Sequence, residues 1–416
     1  MRDTTLLNRV LGLPGTRVTD VDPGPGTGGP VVARVALKAR KRLSCPHCSF
    51  TTTAGYDTRW AESSWRHVDF SGKPLTLTML RRRLVCPQHG VVVQGVPFAR
   101  PGSRFTTDFE DMIAWLVTRA DKSTVSTFAR IAWRTVGAIC ERVVAGQLDD
   151  TRFQGLVNIG VDEISWRKHH RYLTLVSDHA TSKIVWGAPG KNAATLDGFF
   201  AEIGPENTAT IEAVSMDMGP AFIKSVKANA PNATVCFDPF HVVQLATTAL
   251  EAVRRSIWQH SRSLPDQSLA KKFKGTRWVL LKNPENLTEK QQVTLEQMRQ
   301  DGGLLWQAYQ LKESLREVFA GDLAPAVVME MITAWCQLAA ASGMPEFVRA
   351  AATVSTHTAG IHAAVTRGLS NGRHEGLNNK IRTMTRRSYG FHSPEAALAL
   401  IMLACGPLEI KLPYHR

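Results

Sequence analysis

The sequence predicts an α/β fold: a mixed β-sheet flanked by helices, preceded by a small strand-rich module and interrupted by a long helical tract. Three observations predict it. After Leu156, apolar segments of strand and helix type follow in the order β-β-β-α-β-α-β. Ahead of them, Cys and His recur in two short knuckles. Beyond His241 the pattern is helical to about Val365.

Taken in order, the turn-rich run Pro23 to Pro30 separates two strand candidates, RVTDVD and VVARVAL. Residues 36–100 read as short strands around the Cys pairs. Helical periodicity runs from about Thr106 to Val144 and has the look of a helix-turn-helix. Thr106 or Thr107 would cap its first helix and Ser123 would start its second. The third would turn Arg134, Thr135 and Arg142 outward and Val136, Ile139, Cys140 and Val143 inward, and in such motifs it enters the major groove. The strands of the mixed sheet are LVNIGVDEIS, YLTLVSDHA, KIVWGAP, IEAVSMDM and ATVCFD, with helices AATLDGFFAEI and PAFIKSVKANA between the later ones. A final basic helix begins near Asn371. These signals divide the chain into 1–104, 105–150, 151–243, a helical insertion at 244–368, and 369–416.

The 416 residues carry a formal net charge of +14 and a pI near 9.7, which points to a polyanionic partner, nucleic acid first. The excess is concentrated. Thirteen Lys and Arg between Val31 and Arg104 are opposed only by Asp57, Glu62 and Asp69. Its densest runs hold Arg40, Lys41 and Arg42, and Arg81, Arg82 and Arg83; such a module attracts phosphate in a salt-dependent way. The N-terminus lacks a secretory pattern, and ALALIMLAC is far short of the ~20 apolar residues that span a bilayer, so no membrane partner is expected. Seven Cys, three in knuckle spacings and four alone in apolar stretches, suit a reducing cytoplasm and not a disulfide framework.

The knuckles are Cys45-Pro-His-Cys48 and Cys86-Pro-Gln-His89. Two tight turns that present four soft ligands describe a zinc ribbon with a closed structural Zn²⁺ site, and His47 and His67 are spare candidates should His89 not serve. With so small a local core, metal binding would supply much of the folding free energy.

Asp162, Asp217 and Asp238 each follow an apolar strand and could converge on shared cations, as phosphodiester chemistry at two-metal sites requires. A third acid is then needed. Glu375 in NGRHEGLNNKIR is the candidate: helical spacing sets Glu375, Asn379, Arg382 and Arg386 on one face, with Lys380 and Arg387 adding cations for the DNA backbone.

Along nearly its full length the chain resembles a bacterial insertion-sequence transposase of the ISL-three family. The resemblance is carried by the knuckles followed by the helix-turn-helix, by Gly160-Val-Asp162-Glu163, by Ser215-Met-Asp217-Met-Gly-Pro with Asp238-Pro-Phe-His241, and by Asn371-Gly-x-x-Glu375-Gly-x-Asn378 ending in Tyr389-Gly-Phe391. It implies an RNase H-like core with a large helical insertion and a DDE triad on Asp162, Asp217 and Glu375, binding Mg²⁺ or Mn²⁺. Asp217 and Asp238 compete for the second position; Asp238 and His241 otherwise support the site. The implied activity is DNA cleavage and strand transfer at terminal inverted repeats and target DNA, by a homodimer or larger assembly at the bacterial nucleoid. In the insertion, Arg254, Arg255, Lys271, Lys272, Lys274 and Arg277 would shield or grip cut ends, while Trp258 and Trp278 are expected to pack in the core, with stacking on an unpaired base as the alternative. A DNA-binding regulator without catalysis, and a nuclease or resolvase that cuts without joining, stay open at this point.

Overall fold

The computed structural model describes residues 3–25, 29–167, 171–263, 273, 275–321, 323–369, 372–388 and 390–412, without the side chains of 3 and 372–375. Lys271, Lys272 and Lys274 lie outside the described residues. The chain divides into two compact units, Met1–Asp149 with Met384–Arg416, and Asp150–Thr383.

In the first unit, strands β1 (Thr16–Asp22) and β2 (Val31–Leu37) pair antiparallel across the Pro/Gly run, as their alternation predicts. A helix that the sequence reading missed, α1 (Asp3–Leu11), precedes them; its Leu7 enters the core with Val18, Val35, Trp65, Leu75 and Leu77. The spacing of Leu7 and Leu11 was its signal. Strands β5 (Trp60–Phe70) and β6 (Lys73–Cys86) form a long hairpin closed by Ser71 and Gly72, both at positive φ.

Strand β6 serves two cores. Its odd residues Leu75, Leu77 and Met79 are buried in the first, and its even residues Leu84 and Cys86 in the second. Arg81, Arg82 and Arg83 occupy the crossover, where neither face is fully covered. The second core holds only Leu43, Cys45, Leu84 and Cys86, fringed by Leu37, Cys48, Phe50 and Val92.

Helices α2 (Thr107–Val117), α3 (Lys122–Ala129) and α4 (Trp133–Gln147) follow. The Thr106 hydroxyl caps α2 as expected. The second cap is Asp121, not Ser123: its carboxylate accepts from the Ser123 and Thr124 N–H groups. Val136, Ile139, Cys140 and Val143 point inward and Arg134 is exposed. Arg142 departs from expectation. It donates to the fully buried Glu110 carboxylate at 2.7 Å, which Arg100 also pairs at 3.1 Å while reaching Asp111 at 2.6 Å. A buried carboxylate needs its charge partners, so Arg142 is committed to holding α4 on α2. The last helix of the chain, Pro394–Cys405, expected in the catalytic core, packs instead on α4 and α2.

In the second unit, β8 (Asn158–Arg167), β9 (Arg171–Asp178), β10 (Lys183–Pro189), β11 (Ala213–Met216) and β12 (Thr234–Phe237) form one sheet in the order β10-β9-β8-β11-β12. The first three pair antiparallel, and β11 runs parallel to both β8 and β12. Parallel neighbours need crossovers, and α5 (Ala193–Thr208) and α6 (Pro220–Asn229) precede and follow β11. One face carries Ile159, Val161, Val214 and Met216, in a core shared with Phe199, Phe200 and Phe222 of these helices. The small residues Ala213 and Cys236 pack with Ala364 of the helix Thr358–Arg367.

The helical insertion starts with α7 (Pro239–Ser263) and continues through Arg277–Leu281, Glu289–Asp301, Gly303–Val318, Pro325–Ala341 and Pro345–Thr356. Arg254, Arg255 and Arg277 gather on Glu251, at 2.7, 4.0 and 3.5 Å. Trp278, expected in the core, is 58% exposed with Arg277 over its ring, whereas Trp335 fills the core and donates to the Leu311 carbonyl at 2.8 Å. Among the described residues, no helix is long and apolar enough to cross a membrane.

Candidate functional site

The parallel register brings the acids together. β8 pairs with β11 up to Gly160 opposite Ser215, and β11 with β12 up to Met216 opposite Phe237. Asp217 and Asp238 come directly after β11 and β12, and the register carried on from these pairs sets both level with Asp162 of β8. Asp162 does not end its strand. β8 runs on to Arg167 and keeps β9 as partner, with Asp162 opposite Leu175, but it has lost β11, which leaves the β11 side open.

Each carboxylate is held locally. Asp162 Oδ1 accepts from the Glu163 N–H at 2.7 Å, and its Oδ2 accepts from the Asn378 side-chain amide. Asp217 Oδ1 accepts from the Gly219 N–H at 2.9 Å. Gly219 is extended, with an ordinary negative φ of −69°, yet a Cβ there would stand 2.8 Å from Asp217 Oδ1. Gly219→Ala should therefore displace the carboxylate and leave the backbone unstrained. We expect an unchanged melting temperature and about 10- to 100-fold slower DNA cleavage, read in parallel assays on one preparation.

Asp238 differs from the other two. It is 2% exposed, and its Oδ1 accepts from the Phe240 N–H at 3.2 Å at the start of α7, the work of a helix cap. His241 sits half-buried in the first turn of that helix, its ring against Phe240. Glu163, which the sequence presented only as a neighbour, belongs to the acidic group. Burial, and then the negative charge of Asp217 and Asp162, hold its carboxyl above the ordinary range, while Lys191 acts in the opposite direction.

The helix Gly372–Arg387, α14 here, carries the expected third acid and Asn378. The side chain of Glu375 lies outside the described residues; its backbone is in α14, three residues before Asn378. Asn378 was quoted in the sequence as part of a motif but not assigned to the site, and its position one helical turn past Glu375 was the available signal. Arg382 and Arg386 are exposed. Arg387 is not: its guanidinium donates to the Arg119, Thr118 and Val117 carbonyls at 2.8, 2.9 and 3.4 Å, closing the C-terminal end of α2.

In the other unit the knuckles meet as predicted. The first joins β3 (Leu43–Ser44) to β4 (Thr51–Thr52), and the second joins β6 to β7 (Gly90–Val93). The ligand atoms of Cys45, Cys48, Cys86 and His89 lie within 4.8 Å of one another. Cys48 Sγ is 3.6 Å from Cys86 Sγ, and His89 Nδ1 is 3.5 Å from Cys86 Sγ and 3.7 Å from Cys45 Sγ. Tetrahedral zinc with bonds of ~2.3 Å to sulfur and ~2.0 Å to nitrogen separates its ligands by about 3.5–3.8 Å. The four residues fit that ion with no position left for a substrate. Above them, Arg81 donates to Ser63 Oγ and to the Gln94 carbonyl, and Arg83 pairs with Asp57. Arg82 lies over the exposed Trp60 ring, while Arg40, Lys41 and Arg42 are exposed.

A family model described as a transposase, of the ISL3 type, matches residues 159–401, more than half of the chain. The chain belongs to the ISL3 family of transposases. Two shorter models match this transposase as well: a helix-turn-helix domain of transposase family ISL3 over residues 95–144, and a zinc finger of insertion-sequence transposases over residues 34–89. It is 38% identical to the transposase for insertion sequence element IS1557 of Mycobacterium tuberculosis, over 99% of this chain and 98% of that one. It is 25% identical to the transposase for IS1001 of Bordetella parapertussis, over 95% and 96%.

Proposed function

We propose that this transposase binds the terminal inverted repeats of an insertion sequence and cuts and rejoins DNA at a site formed by Asp162, Asp217 and Glu375. The reading rests on one observation above all: Asp217 directly follows β11, at the level of Asp162 on the neighbouring parallel strand β8, and α14 is tied to Asp162 through Asn378. The antiparallel-then-parallel sheet order supports an RNase H-like core. In this reading residues 1–104 are the ribbon module, 105–150 the helix-turn-helix, 151–243 and 369–416 the core, and 244–368 the insertion.

The donor set is oxygen alone, which suits Mg²⁺ or Mn²⁺ and not a softer metal. Asp162 and Asp217 would hold such ions, with Glu375 completing the ligand set. Bound divalent ions would supply an activated water or 3′-hydroxyl and neutralise the leaving oxygen. The protein then needs no nucleophile of its own; its acids fix the geometry. Arg40, Lys41, Arg42 and Arg82 on the ribbon, Arg134 on α4, and Lys380, Arg382 and Arg386 on α14 would meet phosphates. Two element ends must be handled together, so the active form is a dimer or larger assembly, working at the bacterial nucleoid. Labelled element ends with Mg²⁺, scored for binding, cleavage and joining, test the whole reading. All three activities are expected. Binding without cleavage would make the protein a regulator, and cleavage without joining a nuclease.

A further inference from the structure

We infer that Asn378 is a positioning residue for the metal-binding carboxylate of Asp162, an inference that rests on the reading of Asp162 given above. The amide nitrogen of Asn378 donates to Asp162 Oδ2, a contact between residues 216 positions apart in the chain. The other oxygen, Oδ1, is engaged by the Glu163 N–H. With one donor on each oxygen the plane of the carboxylate is fixed, because rotation about its last bond would break both contacts. A carboxylate oxygen has two lone pairs, so each oxygen keeps one for a cation. The pair of hydrogen bonds therefore aims the free lone pairs without consuming them.

The residue type matters. An Asp at 378 would set two negative charges face to face, and a Lys would compete with the cation as a counter-charge; a neutral amide donor does neither. Asn378 also lies one turn before the buried Ile381 on the same helix face, so the amide emerges from an anchored stretch of α14. Glu375, one turn earlier, is carried by the same helix. Asn378 thus sets the carboxylate on the sheet and registers against it the helix that bears the third acid.

Outer hydrogen bonds of this kind change metal affinity or activity about 10- to 100-fold when removed. The test uses the full-length zinc-loaded protein on a pre-cut duplex end and measures Mn²⁺ binding by the electron paramagnetic resonance of the free ion. Wild type, Asp162→Ala and Asn378→Leu are compared, and binding to the duplex serves as the folding control. Leu matches Asn in size but cannot donate. The expected result is an Mn²⁺ site lost in Asp162→Ala and about 10- to 100-fold weaker in Asn378→Leu, with duplex binding unchanged. In the cleavage assay the Mg²⁺ concentration giving half-maximal rate should rise by a similar factor. Wild-type Mn²⁺ affinity in Asn378→Leu overturns the inference and leaves the role of Asp162 standing. Wild-type Mn²⁺ affinity in Asp162→Ala overturns both. If Asn378→Leu no longer binds the duplex, Asn378→Ala is read by the same criteria.

Discussion

Asp162→Ala and Asp217→Ala should each slow cleavage of labelled element ends by at least about 10³-fold, since charge stabilisation at a two-metal site amounts to several kcal/mol and about 4 kcal/mol corresponds to that factor. Binding to the same ends, read by mobility shift, should be equal or slightly tighter, because each change removes a negative charge near phosphate. Asp238→Ala should behave differently. Losing a cap on α7 costs about 1 kcal/mol, so its first effect is a lower melting temperature. Full cleavage by Asp217→Ala together with none by folded Asp238→Ala would transfer the second catalytic position to Asp238.

The second large effect concerns the knuckles. Structural zinc in small modules is worth about 10–16 kcal/mol of apparent binding free energy, and apart from the ligands Cys45 and Cys86 the buried residues of the local core are Leu43 and Leu84. Stripping the metal, or Cys48→Ser, should unfold both knuckles with β3, β4, β7 and the Leu84–Cys86 end of β6, as seen by amide hydrogen exchange, and spare β5 and the Leu75–Met79 part of β6, which have the other core. The second unit has its own core and should keep its protection. Metal analysis should find about one zinc per chain, and a folded ribbon free of metal would refute the assignment. End binding should be lost with the ribbon.

Much of this was legible in the sequence because the signals were local. Knuckle spacing, the alternation before Asp162 and Asp217, and the Ile139/Val143 stripe of α4 each depend on residues a few positions apart. Pairing across the chain was not legible. Arg142, Arg387 and the insertion arginines read equally well as exposed cations, yet Glu110, the end of α2 and Glu251 claim them. Composition cannot tell a cation kept for phosphate from one needed by a buried acid. The same reason hid Asn378, whose importance comes from Asp162 far away in sequence. Trp278 was misjudged because an aromatic is assigned to the interior by default, and here a neighbouring guanidinium covers one face of it.

Strand β6 has a consequence for how the gene can change. Its buried residues switch from odd to even numbers between Met79 and Leu84. A strand alternates sides with every residue, so adding or deleting a single codon in the arginine stretch would turn Cys86 away from its three fellow ligands or Leu75 and Leu77 out of their core. Length variation there is admissible only two residues at a time, and point substitutions that spare the count are the tolerated route of divergence.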